Sequence, residues 1–154
     1  MIKILFICHG NICRSTMAQF VFSNMVNKLG LENLFLIDSA ATSNEEIGNP
    51  PHIGTVRKLK EEAVPVLYHR ARRVTVEDYD NFDLLIIMDE QNRRNLFRII
   101  KRDPENKVHT LLSYANMVRD IADPWWTGDF DECYSDINTG CAALLEYLLK
   151  NGKV

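Results

Sequence analysis

Apolar residues along this chain follow two alternating rhythms. Short, nearly continuous apolar runs are separated by longer stretches in which apolar residues return every three or four positions. The runs at 3–8, 34–39, 83–88 and 108–112 predict strands, because an unbroken apolar run fits a strand buried on both faces. The clearest is Asp83-Leu84-Leu85-Ile86-Ile87-Met88, read as a central strand. The stretch 14–29 carries Met17, Phe20, Val21, Met25 and Leu29 at helical spacing, and Gly30 supplies its stop. Residues 52–62 predict a second helix. Residues 89–101 predict a third, with Asp89 as its N-cap. A terminal helix over 131–149 places Ile137, Cys141, Leu144, Leu145 and Leu148 on one face. Residues 42–51 are rich in Asn, Glu, Gly and Pro and predict a loop. The alternation of strand and helix implies an α/β fold: a single three-layer domain with a four-stranded parallel sheet flanked by helices.

Bulk properties narrow the picture. The chain has 154 residues, enough for one domain that buries roughly 70% of its unfolded surface. The expected domain therefore runs over 1–154. A net charge of -3 argues against a nucleic-acid partner. The basic clusters Arg70, Arg72, Arg73 and Arg93, Arg94, Arg98, Lys101, Arg102 read as solvated faces; a basic rim that attracts an anionic substrate is the sharper alternative. No apolar stretch reaches the length of a membrane span, and the N-terminal run does not read as a signal peptide. Cys8, Cys13, Cys133 and Cys141 do not suit a disulfide scaffold in a chain this long, so a reducing cytoplasm is the expected compartment.

The chemistry concentrates in Cys8-His9-Gly10-Asn11-Ile12-Cys13-Arg14-Ser15, between the first strand and the first helix. Ligands of parallel α/β sheets bind at the carboxyl ends of the strands, where this segment lies. Backbone N–H groups of such a turn, and the start of the helix after it, converge on one spot and favour an anion. Arg14 adds a planar fork for two oxygens of a tetrahedral anion. Cys8 supplies a soft nucleophile in the same positive field. Gly10 and Asn11 permit the left-handed backbone a phosphate cradle needs. The glycine-rich loops of nucleotide enzymes do not match. A zinc site on Cys8 and Cys13 would need His9, Cys133 or Cys141, none at metal-ligand spacing, so no metal or other cofactor is expected. The plain alternative for Cys8 is a small buried hydrophobe.

The segment from Cys8 to Ser15 closely resembles the signature of the low-molecular-weight protein tyrosine phosphatases. The resemblance extends through Asp38-Ser39-Ala40-Ala41-Thr42-Ser43, Gly48-Asn49-Pro50-Pro51, His69-Arg70-Ala71-Arg72 and Asp83 through Met88-Asp89 to Asp123-Pro124-Trp125, nearly the whole chain. It implies a phosphoric monoester hydrolase acting on phosphotyrosine in proteins or peptides, and on small aryl phosphates. Cys8 would form a cysteinyl-phosphate, Arg14 would hold equatorial oxygens, and Asp123 would be the general acid and then the base. His9, Gly10, Asn11, Ile12, Cys13 and Ser15 would bind the phosphate. Ser15 would also hydrogen-bond the sulfur. Asn11 would hold the loop in shape with Ser39 and His69 as supports, although His69 reads equally well as a packing histidine. Trp125 and Trp126 would wall the pocket, with Ile12 opposite. Phosphate-like oxyanions would inhibit. The resemblance further implies a reversible Cys8–Cys13 disulfide under oxidation, and a monomer that in some members self-associates weakly.

The chain departs from the family pattern in four places. Thr16 replaces a proline at the helix start. Glu45, followed by Glu46, stands where many relatives carry an aromatic residue facing the substrate, so an acidic rim favouring basic or neutral phosphopeptides is expected. His52-Ile53-Gly54 replaces Asp-x-Arg, which removes a structural contact. Trp125 and Trp126 replace tyrosines. Two other functions compete. Arsenate reductases share the fold and loop but relay a disulfide through further cysteines; residues 82–89 contain none, and Cys133 and Cys141 lie far along the chain. A non-catalytic anion-binding module would need neither the cysteine nor Asp-Pro-Trp.

Overall fold

Each of the four apolar runs forms a strand in the computed structural model, which describes all residues from Met1 to Val154. The strands are β1 Ile2–Cys8, β2 Phe35–Ala41, β3 Leu84–Ile87 and β4 Val108–Thr110. All pair in parallel, in the order β2-β1-β3-β4. Cys8 pairs with Ala41, and Ile7 with Ile87, so the carboxyl ends of the strands line up. The order reverses between β1 and β3. Such a reversal opens a crevice beyond the strand ends, the usual ligand site of an open parallel sheet.

Period-two alternation divides the core between two faces. Ile4, Phe6, Cys8, Ile86 and Met88 face one layer, shared with Phe20, Ile137 and Leu144. Leu5, Ile7, Leu85 and Ile87 face the other, shared with Tyr79, Leu96 and Ile100. The first layer is built by α1 Arg14–Lys28 and α6 Phe130–Lys150, with α2 Ile53–Glu61 beside them. The second is built by α3 Val76–Asn81 and α4 Glu90–Ile100. A one-turn helix, α5 Pro124–Thr127, precedes α6. Asp89 caps α4 as expected: its carboxylate accepts from the Asn92 N–H at 2.6 Å. Gly30 closes α1 at φ 69°.

The structure differs from the sequence reading in three places. The second strand starts later, at Phe35, because Glu32–Leu34 forms a 3-10 turn. The fourth ends at Thr110; Leu111 and Leu112 are buried in a 3-10 segment, Leu111–Ala115, that carries the apolar run onward. Helices α3 and α5 were not expected from periodicity.

Candidate active site

Cys8 ends β1 and Arg14 starts α1, so the loop between them sits on the crest of the sheet beside the crevice. Asn11 is the left-handed residue of that loop, with φ 60°. Gly10 does not share this role, contrary to expectation; its missing side chain leaves only ordinary contact distance to Glu46. Asn11 is fully buried and its amide is fully used. Its Oδ1 accepts from the Arg72 N–H at 3.2 Å and lies 2.8 Å from His69 Nε2. Its Nδ2 donates to Ser15 Oγ at 2.7 Å and to Ser39 Oγ at 2.9 Å. The Arg72 N–H can only donate, which fixes the direction of every bond in the set. His69 must therefore carry its proton on Nε2. Burial lowers the pKa of His69, which keeps the ring neutral. Ser39 Oγ in turn donates to Gln19 Oε1. Ser15 Oγ lies 3.0 Å from Cys8 Sγ and accepts from the thiol; once Cys8 is a thiolate, the serine hydroxyl, which already accepts from Asn11, turns its own proton to the sulfur. The Asn11 and Ser15 N–H groups also point at the sulfur, at 3.3 and 3.4 Å. Three donors thus converge where negative charge on sulfur needs them.

Arg14 is only 2% exposed. Its Nη1 donates to Asp89 Oδ2 at 2.6 Å and to the Ile121 carbonyl at 2.9 Å. Its Nη2 reaches Asp123 Oδ2 at 3.4 Å. Its Nε is buried and has no partner. Burial opposes the charge, but Cys8, Asp89 and Asp123 outweigh it and raise the pKa, so the guanidinium stays charged. An unpaired buried donor costs about 1–3 kcal/mol. Nη1 is anchored twice and Nε is unpaired, so an anion meets the edge made by Nε and by Nη2, whose only bond is the long one to Asp123.

Asp123 caps α5, its Oδ1 accepting from the Trp125 N–H at 3.0 Å. Pro124 holds Asp123 extended and starts the helix. A cavity of about 170 Å³ opens above the loop. Cys8, His9, Gly10, Ile12, Cys13, Glu45, Asp123, Trp125 and Trp126 all line it. Asn11 and Ser15 do not, and neither do Ser39 and His69: they form the network behind the loop. Arg14 lies one layer deeper than the lining. Trp126 is 82% exposed and Trp125 51%, so both are rim residues and not core. His9 Nε2 and Glu45 Oε2 meet at 2.7 Å across the lip.

Several residues carry more than their sequence suggested. Asp89 was read only as a helix cap, yet it also anchors Arg14. Its place at the end of β3, beside the reversal in strand order, is the signal that could have found it. Arg72 is no solvated surface charge: it pairs with Asp38 at 3.1 Å and Asp78 at 3.0 Å. The lip is acidic, with Glu45 and Glu46, so the basic-rim alternative is not met. Cys133 is buried in the same core layer as Cys8 and is not remote from it, while Cys141 is fully buried on α6. Burial pushes the pKa of both thiols up.

The family model described as low molecular weight phosphotyrosine protein phosphatase matches residues 3–154. The chain belongs to this family. It is 40% identical over 152 residues to the low molecular weight protein-tyrosine-phosphatase YfkJ of Bacillus subtilis, with 97% of each chain covered. It is 38% identical over 149 residues to the low molecular weight phosphotyrosine protein phosphatase of Homo sapiens, with 94% of each covered. The crystal structure of YfkJ superposes with a TM-score of 0.94 at 39% identity, covering 98% of this chain and 96% of that one. Wzb of Vibrio vulnificus, solved in complex with benzylphosphonate, superposes with a TM-score of 0.84 at 25% identity, over 96% of this chain and 99% of its own. The loop from Cys8 to Arg14 is the phosphate loop of this phosphatase.

Proposed function

We propose that Cys8, Arg14 and Asp123 hydrolyse phosphotyrosine in two steps. Cys8 attacks phosphorus as a thiolate, and the tyrosine oxygen leaves with a proton from Asp123. Water then attacks the cysteinyl-phosphate, Asp123 takes a proton from it, and the thiolate departs toward the Ser15 hydroxyl. The free edge of Arg14 binds two equatorial oxygens, and backbone N–H groups of the loop bind the rest, where charge spreads in the transition state. Asp123 Oδ1 is tied to the Trp125 N–H at 3.0 Å, and Oδ2, held only by a longer 3.4 Å contact with Arg14 Nη2, exchanges the proton.

The unpaired Nε of Arg14 carries this reading most directly. A buried donor next to the reacting sulfur, beside an Nη1 anchored twice, waits for an oxygen that the protein itself does not provide. The cavity fits the substrate class. A phenyl ring between Ile12 and Trp125 lets the phosphate reach the loop, and a shorter phosphoserine does not extend that far. The acidic lip of Glu45 and Glu46 favours basic or neutral residues beside the phosphotyrosine. The benzylphosphonate bound by Wzb has the same aryl-and-oxyanion form. Phosphate-like oxyanions act as inhibitors at the same spot. The four free cysteines suit a reducing cytoplasm, and no helix is long and apolar enough to cross a membrane. The proposed enzyme is a single domain over 1–154 that works as a monomer and self-associates at most weakly. Arsenate reduction is not favoured: residues 82–89 offer no relay cysteine, and Cys133 and Cys141 are held as buried thiols.

The test is turnover of an aryl phosphate and of phosphotyrosine peptides flanked by lysine or glutamate, at mildly acidic pH. Cys8→Ser is expected to lose turnover completely, and Asp123→Asn to lose about 10²- to 10⁴-fold. The lysine-flanked peptide is expected to be the better substrate, with Glu45→Gln narrowing the gap. No turnover by folded, reduced wild type overturns the mechanism. Equal turnover of the two peptides overturns only the role of the lip.

A further inference from the structure

His52 replaces the acidic residue of the family pattern, and its side chain occupies a position between three functional segments. Its backbone N–H donates to the Ile12 carbonyl of the phosphate loop at 2.8 Å. Its Nδ1 accepts from the Gly54 N–H at 2.9 Å, which caps α2. Its ring lies nearly parallel to that of Phe130, with centroids 5.3 Å apart and planes 20° apart. The ring of Trp125 meets it edge-on, at 5.6 Å and 84°. Gly54 makes this bracket feasible: a Cβ there would overlap the Phe130 ring.

These contacts close a circuit around the pocket. The Trp125 N–H holds Asp123 Oδ1, and Asp123 Oδ2 faces Arg14. The Trp125 ring rests against His52, and His52 is tied back to the phosphate loop through Ile12. Trp125 is half exposed and α5 is a single turn, so the bracket supports the free side of the turn that carries Asp123, while buried Pro124 and the Ile121–Met88 bond hold its other side. We infer that His52 is a positioning residue that sets the aim of Asp123 through its ring contact with Trp125. The inference rests on the assignment of Asp123 as general acid.

In the first step, which kcat/KM reports, a misaimed acid slows only the reactions that need a proton on the leaving group. A poor leaving group such as phenol depends on it; a nitro-activated phenol leaves largely without help. The test compares kcat/KM for phenyl phosphate and a nitrophenyl phosphate in two variants. His52→Asn keeps a good helix cap and loses the ring. His52→Phe keeps the ring and loses the cap. For His52→Asn we expect a loss of ~10- to 100-fold on phenyl phosphate and a far smaller loss on the activated ester. His52→Phe is expected to keep the wild-type ratio between the two substrates. In the Asp123→Asn background, His52→Asn is expected to cost little more. An equal loss on both esters, or the same change in ratio for both variants, overturns the inference. Failure of the underlying assignment looks different: Asp123→Asn would itself then show no leaving-group dependence.

Discussion

Cys13 and Cys8 are the same residue type in one loop, yet their surroundings give them different work. Cys13 is 4% exposed. Burial first, then the charges on Cys8 and Asp123, push its pKa up to about 12. At neutral pH the thiolate is then roughly one part in 10⁵. Cys13 therefore does not compete as a nucleophile. We propose that it still closes a disulfide once peroxide has turned Cys8 into a sulfenic acid: the Cys13 thiolate attacks that sulfur and hydroxide leaves. The raised pKa leaves Cys13 neutral across the working range, so each added pH unit below 12 multiplies its thiolate about tenfold. Closure after a brief peroxide pulse should accelerate by about that factor per unit between neutral and mildly alkaline pH, as followed by mass spectrometry of the Cys8–Cys13 peptide. Cys13→Ser should recover less of its own starting activity on adding thiol. Recovery as complete as in wild type, or closure at a rate indifferent to pH, removes Cys13 from the role.

Gly140 shows how closely the elements fit. It lies in α6 where an added Cβ would stand 2.5 Å from Cγ of Leu111, a fully buried side chain. Alanine gains about 1 kcal/mol in helix propensity over glycine, but overpacking at such a contact costs about 1–3 kcal/mol. Gly140→Ala should therefore lower Tm by a few degrees, about 2–4 °C per net kcal/mol for a chain of this size. Its kcat/KM should not change, because the contact lies away from the pocket. A raised Tm would mean that Leu111 gives way cheaply. The same helix-to-turn contact explains what the sequence left unread. The apolar run at 108–112 continues past the strand because Leu111 and Leu112 are buried for α6, and a run cannot distinguish the two uses. Helices α3 and α5 are too short to display a period, although Thr75 and Asp78 form a capping box that announces α3. The strands of the central pair were legible because both their faces are buried. Cys8, Arg14 and Asp123 were legible because a short motif and an Asp-Pro turn carry them. The hold of Asp89 on Arg14 depends on β1 lying next to β3, and the bracket at His52 depends on α2 meeting α5 and α6. Both are consequences of strand order and helix packing, which local pattern does not encode.

Across the whole molecule, the parallel sheet brings the ends of β1 and β3 together and gathers one cation and a ring of N–H groups above them. The chain as a whole is acidic, so the attraction for an oxyanion is local to this crest. The protein itself offers the Arg14 Nε no partner. An oxyanion that pairs with it binds the native state alone and stabilises the entire domain by linkage, about 2.7 kcal/mol at a concentration 100 times Kd. For a cooperative domain of this length that corresponds to a Tm rise of about 5–10 °C. Vanadate is the suitable probe, because it acts at concentrations too low for the general salting effects of phosphate. Arg14→Ala should start from a lower Tm, since Asp89 then loses its partner, and should show no vanadate-dependent rise. A rise of equal size in Arg14→Ala would mean that the anion is held elsewhere. It would also mean that the buried Nε is not the group that the substrate oxygen satisfies.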